Sequence, residues 1–466
     1  VLSYMLQNNM ITQEEYDEAL RDDVYSRIQI TPSDTSTTQV FSYFTDTVFE
    51  QVAEDLQNQL GYTETQAYHL LYSGGLKIYT TMDPTIQSIV DKEVNDPDNY
   101  PVTQYSMNYS LTLEHNDGTT ETYNESNIEE YFKITLGQIK FQLLFDDTET
   151  MNACIEQFKE YVVNDSDVIV SETITPILEP QVSMFIMDQN TGHVLALTGG
   201  RGEKTGSLTL NRATDSKRQP GSCFKVITTF APALDSGGAT LASTYYDAPY
   251  TVDNHSISNW WGDSYVGYAN IRQGIAYSMN IIATKCMMDT VSPTVGIDYA
   301  EDFGISTLVP EDKTPSLALG GITYGVYNSE LTAAYAAIAN GGVYTEPVYY
   351  TKVLDQNGQV LLETEPETHT VIKNSTASLL TLAMEDTISG DTPWRSHGIA
   401  PTGELCEVPN MSIAGKSGST TDHNDLWFVG YSPYVTCVIW SGYDESVTLG
   451  SEGDYHKIIW QKVMAQ

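Results

Sequence analysis

The sequence predicts a fold that mixes helices and strands. From Val182 onward, strand-like runs alternate with runs whose apolar residues recur at helical spacing. Upstream, Tyr43–Leu60 has the pattern of an amphipathic helix, while Leu76–Thr81 reads as a strand. A hydrophobic content of 41% is that of a chain able to build packed cores.

The elements follow in order. Thr12-Gln13-Glu14-Glu15 fits a capping box that opens a short helix to Leu20. Arg21–Gln39 is polar and rich in Ser and Thr, and reads as a linker. After the Tyr43–Leu60 helix, a second runs over Thr63–Leu71 and ends at Gly74-Gly75. Asp83-Pro84 starts a helix to about Val94, with Asp as cap and Pro in the first turn. In the next segment, 95–179, Tyr105–Glu114 alternates like a strand and Asn116-Asp117-Gly118 is a turn signal, so Thr119–Tyr123 returns as a hairpin. Met151, Cys154, Ile155, Phe158, Tyr161 and Val162 have helical spacing, and Val168–Leu178 reads as a further strand.

Composition excludes several functions. There are 62 acidic and 22 basic residues, a formal net charge of −40, which opposes nucleic acid and anionic membrane surfaces as partners. No apolar run is long enough to span a bilayer, and no signal peptide is recognisable. The five cysteines are scattered without a Cys-x-x-Cys, and the few histidines form no ligand pattern, so neither a metal nor a cofactor is expected.

Chemistry concentrates in Arg218-Gln219-Pro220-Gly221-Ser222-Cys223-Phe224-Lys225-Val226. A Pro-Gly turn becomes an apolar run in which Val226, Ile227, Phe230, Ala231 and Leu234 predict a helix. Ser222 then sits in its first turn with Lys225 three residues on, on the same face. A serine hydroxyl attacks at neutral pH only with a base in reach, and this spacing supplies one. Cys223 points elsewhere and reads as a small buried hydrophobe. The competing reading is an N-cap serine with a surface lysine.

Two further segments decide between these readings. Tyr277-Ser278-Met279-Asn280 falls between two apolar-periodic stretches, Ile271–Tyr277 and Ile281–Met288. A hydroxyl at Ser278 can relay a proton, and the Asn280 carboxamide can both donate and accept. Ala414-Gly415-Lys416-Ser417-Gly418-Ser419-Thr420-Thr421 precedes a strand-like run, Leu426–Tyr431, in a hairpin. Its glycines admit a second backbone, while Lys416, Ser417 and Ser419 suit a carboxylate.

Ser-x-x-Lys, Ser-x-Asn and Lys-Ser/Thr-Gly in this order resemble the motif set of the penicillin-recognising serine acyltransferases. Gly75–Pro84, Asp188–Gly192, Leu197–Arg201, Leu317–Gly321 and Leu331–Gly342 extend the resemblance to class A penicillin-binding proteins over roughly residues 1–95 and 180–466. That resemblance implies an α+β fold: a five-stranded antiparallel sheet flanked by helices, plus an all-helical lobe. It divides the chain into 1–94, the end of a glycosyltransferase domain with an interdomain linker; 95–179, an inserted α+β subdomain expected to act as a spacer; and 180–466, the transpeptidase domain. A membrane anchor and a glycosyltransferase domain are expected outside this sequence, which places the protein at the outer face of a bacterial cell membrane.

The implied reaction is D,D-transpeptidation of peptidoglycan stem peptides, blocked by β-lactam antibiotics. The implied catalytic residues are Ser222, Lys225, Ser278, Asn280 and Lys416. Substrate binding falls to Ser417, Gly418, Ser419 and Thr421, with Trp260 and Trp261 along the groove and the Ser222 and Ser419 N–H groups as oxyanion hole. Serines stand at 417 and 419 where the family usually has threonine, and Cys223 replaces a small polar residue. A hydrolase (a DD-carboxypeptidase or a β-lactamase), a β-lactam sensor and a scaffold without turnover remain as alternatives; for a β-lactamase, no convincing Glu-x-x-Leu-Asn loop is present to deacylate.

Overall fold

The structure is a computed structural model that describes residues 40–390, 398–420, 423–444 and 453–466, together with Met5, Thr12, Gln13, Tyr16 and Trp394. The expected helix to Leu20, the linker at 21–39 and the substrate-binding Thr421 lie outside the described residues, save for those single positions.

Helix α1, Tyr43–Leu60, is capped by Ser42, and α2, Glu64–Ser73, by a Thr63–Gln66 capping box. Strand β1, Lys77–Thr80, leads to α3, Pro84–Asn95, where Asp83 accepts from the Thr85 and Ile86 N–H groups. The inserted segment holds β2 (Gln104–Glu114), β3 (Thr120–Asn124), α4 (Thr148–Val162) and β4 (Val168–Glu179). Its sheet runs in the order β3-β2-β4. Met107, Leu111 and Leu113 on the middle strand pack with Met151, Ile155 and Phe158 of the helix as a separate cluster.

Strands β5 (Gln181–Met187) and β6 (Val194–Thr198) follow. Next come β7 (Thr244–Asp247), β8 (Gly267–Asn270), and the helices α5 (Ile271–Ala276) and α6 (Asn280–Cys286). Helices α7 (Asn328–Ala339) and α8 (Asn374–Ser389) precede β9 (Ala414–Ser419), β10 (Asp425–Tyr431) and β11 (Thr436–Gly442), and α9 is Tyr455–Met464.

The central sheet has five strands in the order β9-β10-β11-β5-β6, each pair antiparallel. Strands β5, β10 and β11 are buried along their whole length, which requires cover on both faces. The period of two divides them. Leu426, Phe428, Cys437, Ile439, Val182, Met184 and Ile186 face a cluster with Val90 of α3 and Trp460 of α9. Trp427, Val429, Val438 and Trp440 face the opposite way, onto the segment after Ser222, α7 and α8. The site lies on that second side, where edge strand β9 meets the helical lobe.

Candidate active site

The segment that bears Ser222 is clamped before it turns. Arg218 exchanges both backbone hydrogen bonds with Val326, at 3.0 and 2.8 Å. The Gln219 side chain brackets the Ile322 backbone, and Trp427 Nε1 donates to the Gln219 carbonyl at 2.8 Å. Three glycines then permit the packing. Gly221 turns with φ +50°, and a Cβ there would stand 2.5 Å from the Ser419 carbonyl oxygen. A Cβ on Gly320 would stand 2.1 Å from the Gly221 carbonyl oxygen, and one on Gly418 would stand 2.5 Å from that of Pro220. The turn bearing Ser222 is thus pressed between β9 and the Leu317–Gly321 segment.

Beyond this turn the chain is helical but not uniformly α. Gly221–Cys223 is a 3₁₀ turn, and Val226–Phe230 is π-helical before an α turn over Ala231–Asp235. The expected regular helix is widened because Pro232 has no N–H to donate and crowds the carbonyl four residues back. All of Val226–Ala231 is buried, and Tyr335 donates to the Cys223 carbonyl at 2.6 Å. Ser222 is half-buried and opens on a cleft of about 1650 Å³, while Lys225 one turn on is fully buried.

The three motifs converge. Lys225 Nζ lies 2.7 Å from the Ser278 carbonyl, 2.6 Å from Asn280 Oδ1 and 3.2 Å from Ser278 Oγ. Lys416 Nζ donates to Ser278 Oγ at 2.8 Å and to the Ser417 carbonyl at 2.8 Å. Ser278 holds φ at +53°, a conformation few non-glycine residues adopt, and this aims its hydroxyl between the two amines.

Burial pushes the Lys225 amine well below the usual lysine range, and the cation of Lys416 pushes the same way. Burial brings Lys416 down to about 8, with Lys457 adding to the effect. A neutral Lys225 has two N–H bonds, which the Ser278 carbonyl and Asn280 Oδ1 accept. Its third contact, to Ser278 Oγ, then has the hydroxyl donating to the amine lone pair. The Ser278 oxygen can in turn accept from the Lys416 ammonium. The arrangement can move a proton between the Ser278 hydroxyl and Lys225; among the described residues no hydrogen bond joins Ser222 Oγ to either lysine.

Ser417, Gly418 and Ser419 line the same cleft with Ser222, Ser278 and Asn280. The tryptophan expectation needs correction for Trp261. Trp260 lines the cleft, whereas Trp261 packs with Ala269, Tyr277 and Ile282 and donates its Nε1 to the Ser264 carbonyl at 2.8 Å. The two rings meet edge to face. Cys223 is fully buried, and burial pushes its thiol up to about 12. All five cysteines are buried and unpaired. Among the described residues no cluster of His, Cys, Asp or Glu is arranged to hold a metal.

Sequence reasoning named Arg218 and Gly320 only as members of longer segments, and missed Asp247 and Asn259. Arg218 sits in the nucleophile motif, stacks over Trp440 and reaches Asp444. Gly320 was visible only as part of a glycine pair. Asn259 and Asp247 sit in segments whose spacing carries no signal.

Residues 182–464 match the family model described as the penicillin binding protein transpeptidase domain. The chain belongs to this family. Its resemblance to class A members runs along the whole sequence: penicillin-binding protein 1A of Clostridium botulinum (strain Langeland) is 30% identical over all of this chain and 48% of the relative. Penicillin-binding protein 1A/1B of Bacillus subtilis is 29% identical over 57% of the chain. The chain spans about half the length of the Clostridium botulinum relatives it matches. Among solved structures, penicillin-binding protein 1A of Haemophilus influenzae aligns with a TM-score of 0.64 at 19% identity, over 100% of this chain and 74% of that one. PonA1 of Mycobacterium tuberculosis, in complex with penicillin V, aligns with a TM-score of 0.61 at 21% identity, over 90% and 92%. These two likenesses are of fold. Among the described residues, no helix of this penicillin-binding domain is long and apolar enough to cross a membrane.

Proposed function

We propose that this domain is a serine D,D-transpeptidase that cross-links peptidoglycan stem peptides and is inhibited by β-lactams. Ser222 Oγ attacks the carbonyl of the penultimate D-alanine of a donor stem peptide. Lys225, neutral, takes the hydroxyl proton, and Ser278 carries a proton to the departing amine of D-alanine. The C–N bond breaks and a Ser222 ester forms. The amine of an acceptor stem peptide then attacks the ester, forms the new amide and returns Ser222 to its hydroxyl form.

Lys416, Ser417 and Ser419, with Thr421 and the Gly418 backbone, are assigned to the donor carboxylate, and Asn280 to the donor peptide. The N–H groups of Ser222 and Ser419 are assigned to the oxyanion, consistent with how closely Gly221 packs on Ser419. Trp260 is assigned to the groove wall in place of Trp261. No cofactor takes part. Residues 95–179 are assigned a spacer role beside the catalytic domain at 180–466, on whose sheet α3 packs directly. For the whole protein we propose a glycosyltransferase domain and an anchor at the outer face of a bacterial membrane, because the Clostridium botulinum relatives extend well beyond this chain.

The observation that carries this reading is the Ser278 hydroxyl, which contacts both buried lysines at 3.2 and 2.8 Å. The test supplies a D-Ala-D-Ala-terminated stem peptide with and without an acceptor amine. Released D-alanine together with a new amide supports the reading. Release of D-alanine to water alone, with acceptor in excess, assigns the domain to hydrolysis instead.

A further inference from the structure

Helix α6 begins at Asn280, but the residue before it, Met279, has no side chain able to cap it. The cap comes from a distant loop. Asn259 Oδ1 accepts from the Asn280 N–H at 3.0 Å and from the Ile281 N–H at 3.3 Å. Its Nδ2 donates to Asp247 Oδ1 at 2.8 Å, and Asp247 Oδ2 accepts from the Val266 N–H at 2.8 Å. Both side chains are buried, Asn259 at 3% exposed and Asp247 at 1%. The carboxylate can only accept, so it fixes which end of the Asn259 amide faces the helix.

The residues on either side of Asn259 grip the same turn. Ser258 O accepts from Asn280 Nδ2 at 2.8 Å, and Trp260 Nε1 donates to the Tyr277 carbonyl at 2.9 Å. Three successive residues thus hold both flanks of Ser278, the residue with the left-handed backbone. Asn280 cannot rotate without breaking its bond to Ser258 or to Lys225.

We propose that Asn259, oriented by Asp247, is a positioning residue for acylation: it holds the start of α6 so that Asn280 Oδ1 and the Ser278 hydroxyl meet Lys225. This rests on the serine-acylation reading above. Asn259 touches no reacting atom and acts only through Asn280 and the Ser278 turn. The rate of the chemical step depends on it chiefly, and the affinity for the donor, through the Asn280 carboxamide, to a smaller extent.

The test compares the wild-type chain with Asn259→Ala, Asp247→Asn and the double exchange Asn259→Asp/Asp247→Asn. Stopped-flow acylation by a chromogenic penicillin separates the acylation rate from the dissociation constant, well below each melting temperature. Asn259→Ala is expected to lower the acylation rate about tenfold or more, with the dissociation constant within about threefold. Asp247→Asn alone sets its NH₂ group against either the Asn259 Nδ2 or the Val266 N–H, whichever way the amide turns, and is expected to lose a comparable factor. The exchange restores every bond with the amide and carboxylate traded, and is expected to return the rate to within about threefold of wild type.

If Asn259→Ala does not fold, Asp247→Asn and the exchange carry the same comparison. Single variants that keep the wild-type acylation rate, or an exchange no faster than Asp247→Asn, overturn the positioning role while leaving the serine reading intact. A wild-type chain that is never acylated overturns the serine reading, and the positioning role with it.

Discussion

Lys416 donates to the Ser278 hydroxyl over 2.8 Å, from a buried position on the edge strand of the central sheet. Lys225 meets the same residue from the helical lobe. Two buried amines therefore share one hydroxyl, and they cannot both carry a proton cheaply. Burial pushes both amines down and the Lys416 cation pushes Lys225 down further, so the proposed mechanism assigns the neutral amine to Lys225 and the charge to Lys416.

This assignment fixes a pH dependence. Lys225 must be neutral to accept a proton, so acylation rises as pH climbs through its depressed pKa, well below the ordinary lysine value of 10.5. Lys416 must stay charged, so the rate falls as pH rises through about 8. The two apparent constants belong to the coupled pair. The second-order rate of penicillin acylation, measured against pH, should be bell-shaped. A single limb rising towards the ordinary lysine value would contradict it.

Asn280→Asp places a carboxylate where Oδ1 now lies 2.6 Å from Lys225 Nζ. An opposite charge at that distance favours the ammonium, by about 1–3 pKa units. The rising limb should therefore move to higher pH, with a loss of about tenfold or more at neutral pH. The same pH–rate measurement reads both effects, and an unmoved limb argues against Lys225 as the base.

Gly320→Ala should damage the site without touching any reacting group. Its Cβ would meet the Gly221 carbonyl oxygen at 2.1 Å, and its backbone has φ +78°. Strain of about 1–3 kcal/mol is expected from the backbone alone. The turn bearing Ser222 must shift as well, and a displacement of about 1 Å costs about 10²-fold in rate. Thermal melting and acylation kinetics on one preparation check the two parts.

Cys223, beside the nucleophile in sequence, should be inert. Its thiol is fully buried and pushed up to about 12, so almost no thiolate exists at neutral pH. Iodoacetamide should leave it unmodified in the folded protein, and Cys223→Ala should keep acylation within about threefold, at a cost of about 1 kcal/mol in stability. A melting curve and an acylation time course on that variant decide it.

Much of this site was legible because its chemistry is local in sequence. The spacing of Ser222 and Lys225, and of Ser278 and Asn280, is set within one or two turns of chain. The continuous apolar run Leu426–Tyr431 marked a buried strand, and the structure places it second in the central sheet. What escaped was set by contacts between distant segments. Asn259 caps a helix 21 residues away, and no periodicity links the two. Gly320 matters because another backbone lies against it. The π-helical turn follows from Pro232, inside a run whose apolar spacing alone predicts a regular helix. Trp260 and Trp261 are neighbours of one type, and only the fold tells which faces the cleft.

The central claim is that Ser222 forms the ester. The direct measurement is intact-protein mass spectrometry after incubation with a penicillin, followed by peptide mapping of the adduct. The account predicts one added penicillin mass on the peptide containing Ser222, lost in Ser222→Ala and strongly slowed, by about 10²- to 10⁴-fold, in Lys225→Arg, whose side chain cannot become neutral. An adduct mapped to another residue, or one that persists in Ser222→Ala, would contradict it.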